Sequence, residues 1–327
     1  MLLCLQRPET DPYYNLAAEE YLLKTATADT FMIWRNEPSV IIGKHQNTSR
    51  EINHPFIESI NLPVIRRITG GGTVYHDLGN INFSFIYIDR KGNLVDFRFF
   101  TKPVILFLQE LGLDASFEGK NNITVNRLKV SGNSAHIFRN KVLHHGTLLF
   151  NTDLEVLEQA IAGHEECYKD KSVRSVRAEV TNIYHLLENK PSIEEFIGLF
   201  QTFIFNYFPG AFRDELNNKE NESILRLAEE KYKKHEWDFG YSSEYKFDEE
   251  WATQDGKFSI SLAVKNGFIL TAEITSPEIN SLFLQTISDL LIGTPHEKKS
   301  LSERLKNLNF ASENEVQIIN QIIQHLF

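Results

Sequence analysis

Between Asn122 and Phe150 the chain reads as three β-rich segments, ITVN, RLKVSGNSAHIFR and KVLHHGTLLF, separated at Asn126-Arg127 and Arg139-Asn140. Two-residue turns of this kind join neighbouring strands directly, so the segments must run antiparallel. A parallel doubly wound sheet needs a helix between successive strands, and there is no room for one here. The meander therefore sets the class as α+β.

The flanking sequence fits that class. Asp11 followed by Pro12 starts a helix that the apolar spacing of YYNLAAEEYLLKTA carries over residues 12–26. FMIWRN and SVIIGK are two short strands joined through Glu37 and Pro38, and LPVIRRI is a third that leads into Gly70, Gly71 and Gly72. NINFSFIYID alternates as another strand, and TKPVILFLQELG is a helix closed by Gly112. Asp153 caps one later helix and the box Ser192 to Glu195 opens another. After a charged stretch from Arg213 to Asp238 come two hairpin signals, Asp255-Gly256 and Asn266-Gly267, then helices, one starting at Ser312. At 327 residues the chain is longer than most single cores, so the reading is a domain of residues 1–244 and a small α+β domain of residues 245–327.

Composition narrows the function classes. The net charge is −10, which disfavours general affinity for nucleic acid or an anionic membrane surface. There is no run of about 18 apolar residues and no secretory leader pattern. Cys4 and Cys167 stand without CxxC or Cys/His ligand spacing, so neither a disulfide framework nor a structural zinc is expected, no metal ligands are assigned, and a reducing cytoplasm fits. The acidic average hides a local reversal. From Gly119 to Thr152 there is no Asp or Glu, whereas Lys120, Arg127, Lys129, Arg139 and Lys141 all lie there. This suits an anionic ligand, a phosphate or a carboxylate, and it equally suits a sheet with basic solvent-facing positions.

Three consecutive glycines after a strand let the backbone approach a ligand closely and leave amide N–H groups able to point at an anion. The run is neither a P-loop nor a dinucleotide fingerprint. Arg66 and Arg67 precede it on the strand, where neighbours face opposite ways, so one guanidinium is expected to face the ligand. His76 and Asp77 follow it, a pairing able to orient an imidazole. In the meander Lys129 precedes Ser131-Gly132, where small residues allow a fixed positive charge to reach a phosphoryl or acyl oxygen. Of His144 and His145, one should face the sheet interior and one its other side.

With NLAAEEYLL, WRNEPSVIIGKHQN, RRITGGGTVYHDLGNINFSF, KVSGNSA, LHHGTLLFN, SVRSVRAEVTNI and EWDFGYSSEYKF in this order, the chain resembles the lipoate–protein ligase A family over nearly its whole length. The resemblance implies a biotin/lipoate ligase catalytic domain, a mixed and largely antiparallel sheet with flanking helices, plus an accessory C-terminal domain. It implies that lipoate, or octanoate, is activated by ATP with Mg²⁺ to an acyl-adenylate. A lysine of a lipoyl-domain carrier then takes the acyl group; the carriers would be the glycine-cleavage H protein or the E2 subunits of 2-oxoacid dehydrogenases. By motif position, Arg67 and Gly70, Gly71, Gly72, Thr73, Val74 and Tyr75 would bind the adenylate and the acyl carboxyl end. Lys129 would be catalytic, His76 and His145 would line the acyl pocket, and Val173 to Arg177 would belong to the segment that closes over the adenylate. The sequence departs from the family at GKNNIT, where Asn122 replaces an acid and puts any protein ligand for Mg²⁺ in doubt. Two rivals share the scaffold: an ATP-independent octanoyl or lipoyl transferase working through Cys167, and a ligand-binding protein without turnover.

Overall fold

The computed structural model describes residues 2–6, 8–88, 95–176, 178–306 and 312–327. The chain divides into two compact units. The first comprises Met1–Lys44, Leu62–Glu158 and Ser175–Lys234; the second comprises His45–Asn61, Gln159–Arg174 and His235–Phe327.

The first unit is built on an eight-stranded sheet. From one edge to the other its strands are Phe212–Asp214, Leu2–Gln6, Asp29–Trp34, Asn80–Ile88, Lys141–Leu149, Leu128–Phe138, Asn122–Val125 and Ala115–Glu118. The first two junctions are parallel and the rest antiparallel. The meander is thus present, and its turns have the backbone it demands, with positive φ at Asn126, Arg127 and Arg139. Period-2 alternation divides the central strand. Ile81, Phe83 and Phe85 enter a core with Phe100, Phe107 and Phe200, while Asn80, Asn82 and Ser84 line the other face and are also buried. The two short strands around Pro38 belong to different sheets. Asp29–Trp34 is in the large sheet, while Ser39–Ile42 is the centre of a three-stranded sheet between Val64–Arg66 and Val74–His76.

The first helix, Pro12–Thr25, has Asp11 as its N-cap, accepting a hydrogen bond from Tyr14 N at 2.9 Å, and Pro in its first turn. It is buried on nearly every side, Glu19 and Glu20 included. Ser192 and Glu195 form the expected capping box on Ile193–Tyr207.

In the second unit, Tyr245–Thr253, Gly256–Lys265 and Phe268–Thr275 form an antiparallel meander, with positive φ at Gly256, Asn266 and Gly267 in its turns. A two-residue strand from mid-chain, Tyr168–Lys169, pairs with Tyr245–Thr253 as the fourth. The helices Ser281–Leu291 and Glu313–Gln324 bury Ile287, Leu291, Ile318 and Ile322 in a common core with Phe247, Ile260 and Leu262 of the sheet.

Candidate active site

The glycine loop hangs between the strands Val64–Arg66 and Val74–His76. The strand ends at Arg66, and the side chains of Arg66 and Arg67 are both buried but serve different partners. Arg66 Nη1 donates to the carbonyl oxygens of Gly43 and Lys44. Arg67 turns onto the loop itself. Its Nη2 donates to the carbonyls of Gly70 and Gly72, both at 2.7 Å, its Nη1 to Ile41 O, and its Nε to Thr69 Oγ1 at 2.9 Å. Burial pulls its pKa down to about 10, opposed by the Glu19 carboxylate.

This clamp decides which way the loop's amides face. In a trans peptide C=O and N–H point oppositely, so drawing the Gly70 and Gly72 carbonyls toward the guanidinium sends the Gly71 and Thr73 N–H groups away from it. Thr73 N accordingly donates to Ser175 Oγ at 3.0 Å. Ser134 Oγ adds a second bond to Gly70 O at 2.8 Å. Gly71 needs to be glycine on two counts: its φ is +88°, and a Cβ there would lie 3.1 Å from Arg67 Nη2. Val74 and Tyr75 continue into the strand, paired with Ile41 and Val40, and the buried Tyr75 phenol is pushed up by burial and by the nearby Asp77 and Asp153.

His76 and Asp77 are not a pair. Asp77 accepts from the backbone amides of Gly79 at 2.9 Å and Asp153 at 2.8 Å, so it closes a turn. His76 is oriented by Asn36 instead, whose Nδ2 donates to Nδ1 at 3.1 Å, and the indole of Trp34 meets its ring edge-on. Burial, with Arg67 and His145 adding to it, depresses His76 to about 3, so the ring is neutral.

His144 and His145 do face opposite sides of their strand. His144 lies among Phe83, Phe97 and Phe100, stacked on the last at 4.8 Å. His145 faces the site, with Nε2 2.8 Å from Thr69 Oγ1 and Nδ1 2.9 Å from Glu19 Oε1. Glu19 Oε1 also accepts from Ser84 Oγ at 2.6 Å, which in turn accepts from Trp34 Nε1 at 3.0 Å. The sequence reading missed Glu19, Thr69, Asn36 and Ser134. Glu19 had one available signal: it sits one turn beyond Asn15 on the helix and, with Glu20, interrupts an otherwise apolar stretch.

Lys129 is the second residue of the long strand Leu128–Phe138, and a parallel bridge to Val180 holds its backbone, with Lys129 N donating to Glu179 O and Thr181 N to Lys129 O. Its ammonium lies over Gly132, where a Cβ would stand 3.4 Å from Nζ. Burial lowers its pKa, and among the described residues no carboxylate pairs with it. Asn122 is paired with Gly132 in the neighbouring strand. Among the described residues no three His, Cys, Asp or Glu side chains come together as a metal site.

In the segment after Lys171, Val173 belongs to the second unit, where its amide donates to His45 O and its carbonyl accepts from Arg50 Nη2. Ser175 belongs to the first, against Gly72, and Val176 is 88% exposed. Arg177 lies outside the described residues. Cys167 is poorly suited to nucleophilic work. Burial and the carboxylates of Glu249, Glu166 and Asp248 all push its thiol up.

Residues 11–204 match the lipoyl protein ligase A/B catalytic domain and residues 242–327 the bacterial lipoate protein ligase C-terminus. The chain belongs to the lipoate–protein ligase family. Lipoate–protein ligase 1 of Staphylococcus aureus is 37% identical to this ligase-family chain over 298 residues, 90% of each protein. LplJ of Bacillus subtilis, also a lipoate-protein ligase, is 34% identical over 303 residues, covering 91% of this chain and 92% of its own. Among solved structures, P. falciparum LipL1 in complex with lipoate superposes with a TM-score of 0.60 at 25% identity, covering 99% of this chain and all of that one. A lipoate-protein ligase A bound with ATP gives 0.62 at 26% identity, covering 73% of this chain and 98% of that one.

Proposed function

We propose that this chain is an ATP-dependent lipoate–protein ligase, with octanoate as an alternative acyl substrate. The lipoate carboxylate attacks the α-phosphorus of ATP, the bond to the β-phosphate oxygen breaks, and lipoyl-AMP and pyrophosphate form. A carrier lysine amine then attacks the acyl carbonyl and AMP leaves. The carriers are lipoyl domains, those of E2 subunits of 2-oxoacid dehydrogenases and the glycine-cleavage H protein. A cytoplasmic location goes with this reading and with two cysteines that are both free thiols.

The observation that carries the reading is Lys129. A carboxylate approaching a triphosphate meets like charge, and a half-buried ammonium with no acidic partner among the described residues can answer it in both steps. Lys129 is the catalytic residue in this reading. Arg67 acts by holding Gly70, Gly71 and Gly72, with Thr73, Val74 and Tyr75 following, so that the loop faces the adenylate, and the Thr73 amide would exchange Ser175 Oγ for the ligand. His76 and His145 line the acyl pocket, where the neutral His76 ring suits an apolar chain. The donor set does not fit a resident Mg²⁺, since Asn122 offers no charge and, among the described residues, no acidic cluster accompanies it. Residues 1–244 form the catalytic domain and 245–327 the accessory one, although 45–61, 159–174 and 235–244 belong to the same compact unit as the C-terminal residues.

The test is lipoate-dependent pyrophosphate release from ATP, followed by the mass of a purified lipoyl domain. Lys129→Ala is expected to lose about 10²- to 10³-fold in rate. A variant that labels the carrier as fast as the parent overturns the assignment.

A further inference from the structure

One buried chain of hydrogen bonds runs from Trp34 past the first helix to the glycine loop. Trp34 Nε1 donates to Ser84 Oγ at 3.0 Å, and Ser84 Oγ donates to Glu19 Oε1 at 2.6 Å. Glu19, an acceptor when ionised, lies 2.9 and 3.0 Å from His145 Nδ1 through its two oxygens. A carboxylate there takes the proton of Nδ1, and in the Nδ1–H tautomer Nε2 is an acceptor. Thr69 Oγ1, 2.8 Å away, must then donate its hydrogen to Nε2 and receive Arg67 Nε–H at 2.9 Å. Arg67 Nη2 ends the chain on the carbonyls of Gly70 and Gly72. Glu19, Thr69 and Arg67 are all at least nine-tenths buried, so water does not compete for these bonds.

We infer that Glu19 is a positioning residue for the nucleotide loop: it fixes the tautomer of His145 and, through Thr69 and Arg67, the direction in which the loop's amides face. Were His145 to carry its proton on Nε2, Thr69 would meet a donor where it needs an acceptor. Its hydroxyl would turn its hydrogen away and spend both lone pairs, one on Nε2–H and one on Arg67 Nε–H, so the oxygen would be re-aimed between two donors and the clamp on Gly70 and Gly72 would loosen. The same chain passes through His145, assigned above to the acyl pocket, so the acyl wall and the loop share one hydrogen-bond order. The inference rests on the ligase reading only for its kinetic consequence.

Two measurements test it. Nitrogen-15 spectra of the imidazoles, with His145 assigned by its loss in His145→Gln, are expected to show the Nδ1–H tautomer in the parent and in Thr69→Val, and to lose it in Glu19→Ala. In the pyrophosphate-release assay, Glu19→Ala and Thr69→Val are expected to raise KM for ATP by roughly tenfold or more, because a displaced binding group far from the chemistry costs rate steeply. Thr69→Ser keeps the hydroxyl and is expected to stay near the parent. A carboxamide oxygen can still accept from both Ser84 and His145, so Glu19→Gln should fall between parent and Glu19→Ala. An Nε2–H tautomer in the parent overturns the inference, as does a Thr69→Val variant whose KM for ATP equals that of Thr69→Ser. A parent that releases no pyrophosphate with lipoate and ATP sinks the ligase reading instead, and the tautomer spectra then decide the hydrogen-bond chain alone. Urea unfolding of each variant separates loop effects from a general loss of fold, and Thr69→Ser and Glu19→Gln keep the test open should Glu19→Ala not fold.

Discussion

Gly146 shows how tightly a single position in the meander is specified. It faces Asn133 across the strand pair, and a Cβ there would stand 2.3 Å from Asn133 Oδ1 and 2.5 Å from Phe83 Cζ. Asn133 cannot simply swing aside, because its Nδ2 donates to Asn121 O and Ser131 Oγ and its Oδ1 lies 3.2 Å from His144 Nε2. Gly146→Ala is therefore expected to destabilise the fold by about 2–3 kcal/mol, from overpacking together with a broken buried amide. Gly198 is the control: it sits inside the helix Ile193–Tyr207 with nothing within 4 Å of an added Cβ. Gly198→Ala should be neutral or stabilising by up to about 1 kcal/mol. Urea unfolding midpoints of the two variants check both, and equal midpoints would refute the steric account. The glycine in LHHGTLLF was visible in the sequence as part of a motif. Its physical reason was not, because that reason is a residue thirteen places earlier on another strand.

At the level of elements, the parts written in local chemistry were legible: the turns at Asn126-Arg127 and Asn266-Gly267, the Asp11 cap, and the boxes at Ser192 and Ser312. The parts that depend on distant partners were not. Period reading assigns polar helical residues to solvent, yet Asn15, Glu19 and Glu20 are all buried, each committed to partners far along the chain. Tyr168–Lys169 is too short to show any period, and it pairs with a strand some eighty residues on. The second unit also holds an acid-sensitive cluster that no motif announces. His54 meets the Phe327 ring at 5.1 Å, and His296 stacks on the same ring at 5.0 Å while bonding Tyr245 OH and Leu326 O. Burial depresses His54 to about 4 and His296 to about 3, from an ordinary value of 6.5. Folded pKa values below the unfolded value mean that the unfolded chain takes up protons first. Their stability contribution is thus complete above pH 6.5 and is lost as pH falls toward 4 and 3. For His54 the loss amounts to about 3 kcal/mol. Between pH 7 and 5 carboxylates contribute little to this slope, so unfolding followed through Trp237 and Trp251 should show it, and His54→Gln should make it shallower. An unchanged slope would mean that His54 titrates normally.

For the whole molecule the deciding contrast is between a nucleotide-driven reaction and a thiol-driven one. Each requires a different group to be activated. An acyl-enzyme route needs a thiolate, and both thiols are held in the opposite direction: Cys4 is pushed up to about 11 by burial, and Cys167 is raised by burial and three carboxylates. The positive charge that a nucleotide route needs is present, in a stretch from Gly119 to Thr152 free of acidic residues inside a chain of net charge −10. Cys167→Ala is accordingly expected to keep ATP-dependent transfer to a lipoyl domain within about twofold of the parent, since a partly exposed thiol outside the reaction costs little to remove. With ATP withheld and the acyl group offered as a thioester, neither protein should transfer anything. Transfer without ATP that disappears in Cys167→Ala would instead make the cysteine the acyl carrier, and Lys129 would then serve only the charge of a thioester's oxyanion. Running both acyl donors on both proteins separates these cases, because each route fails with the donor the other requires.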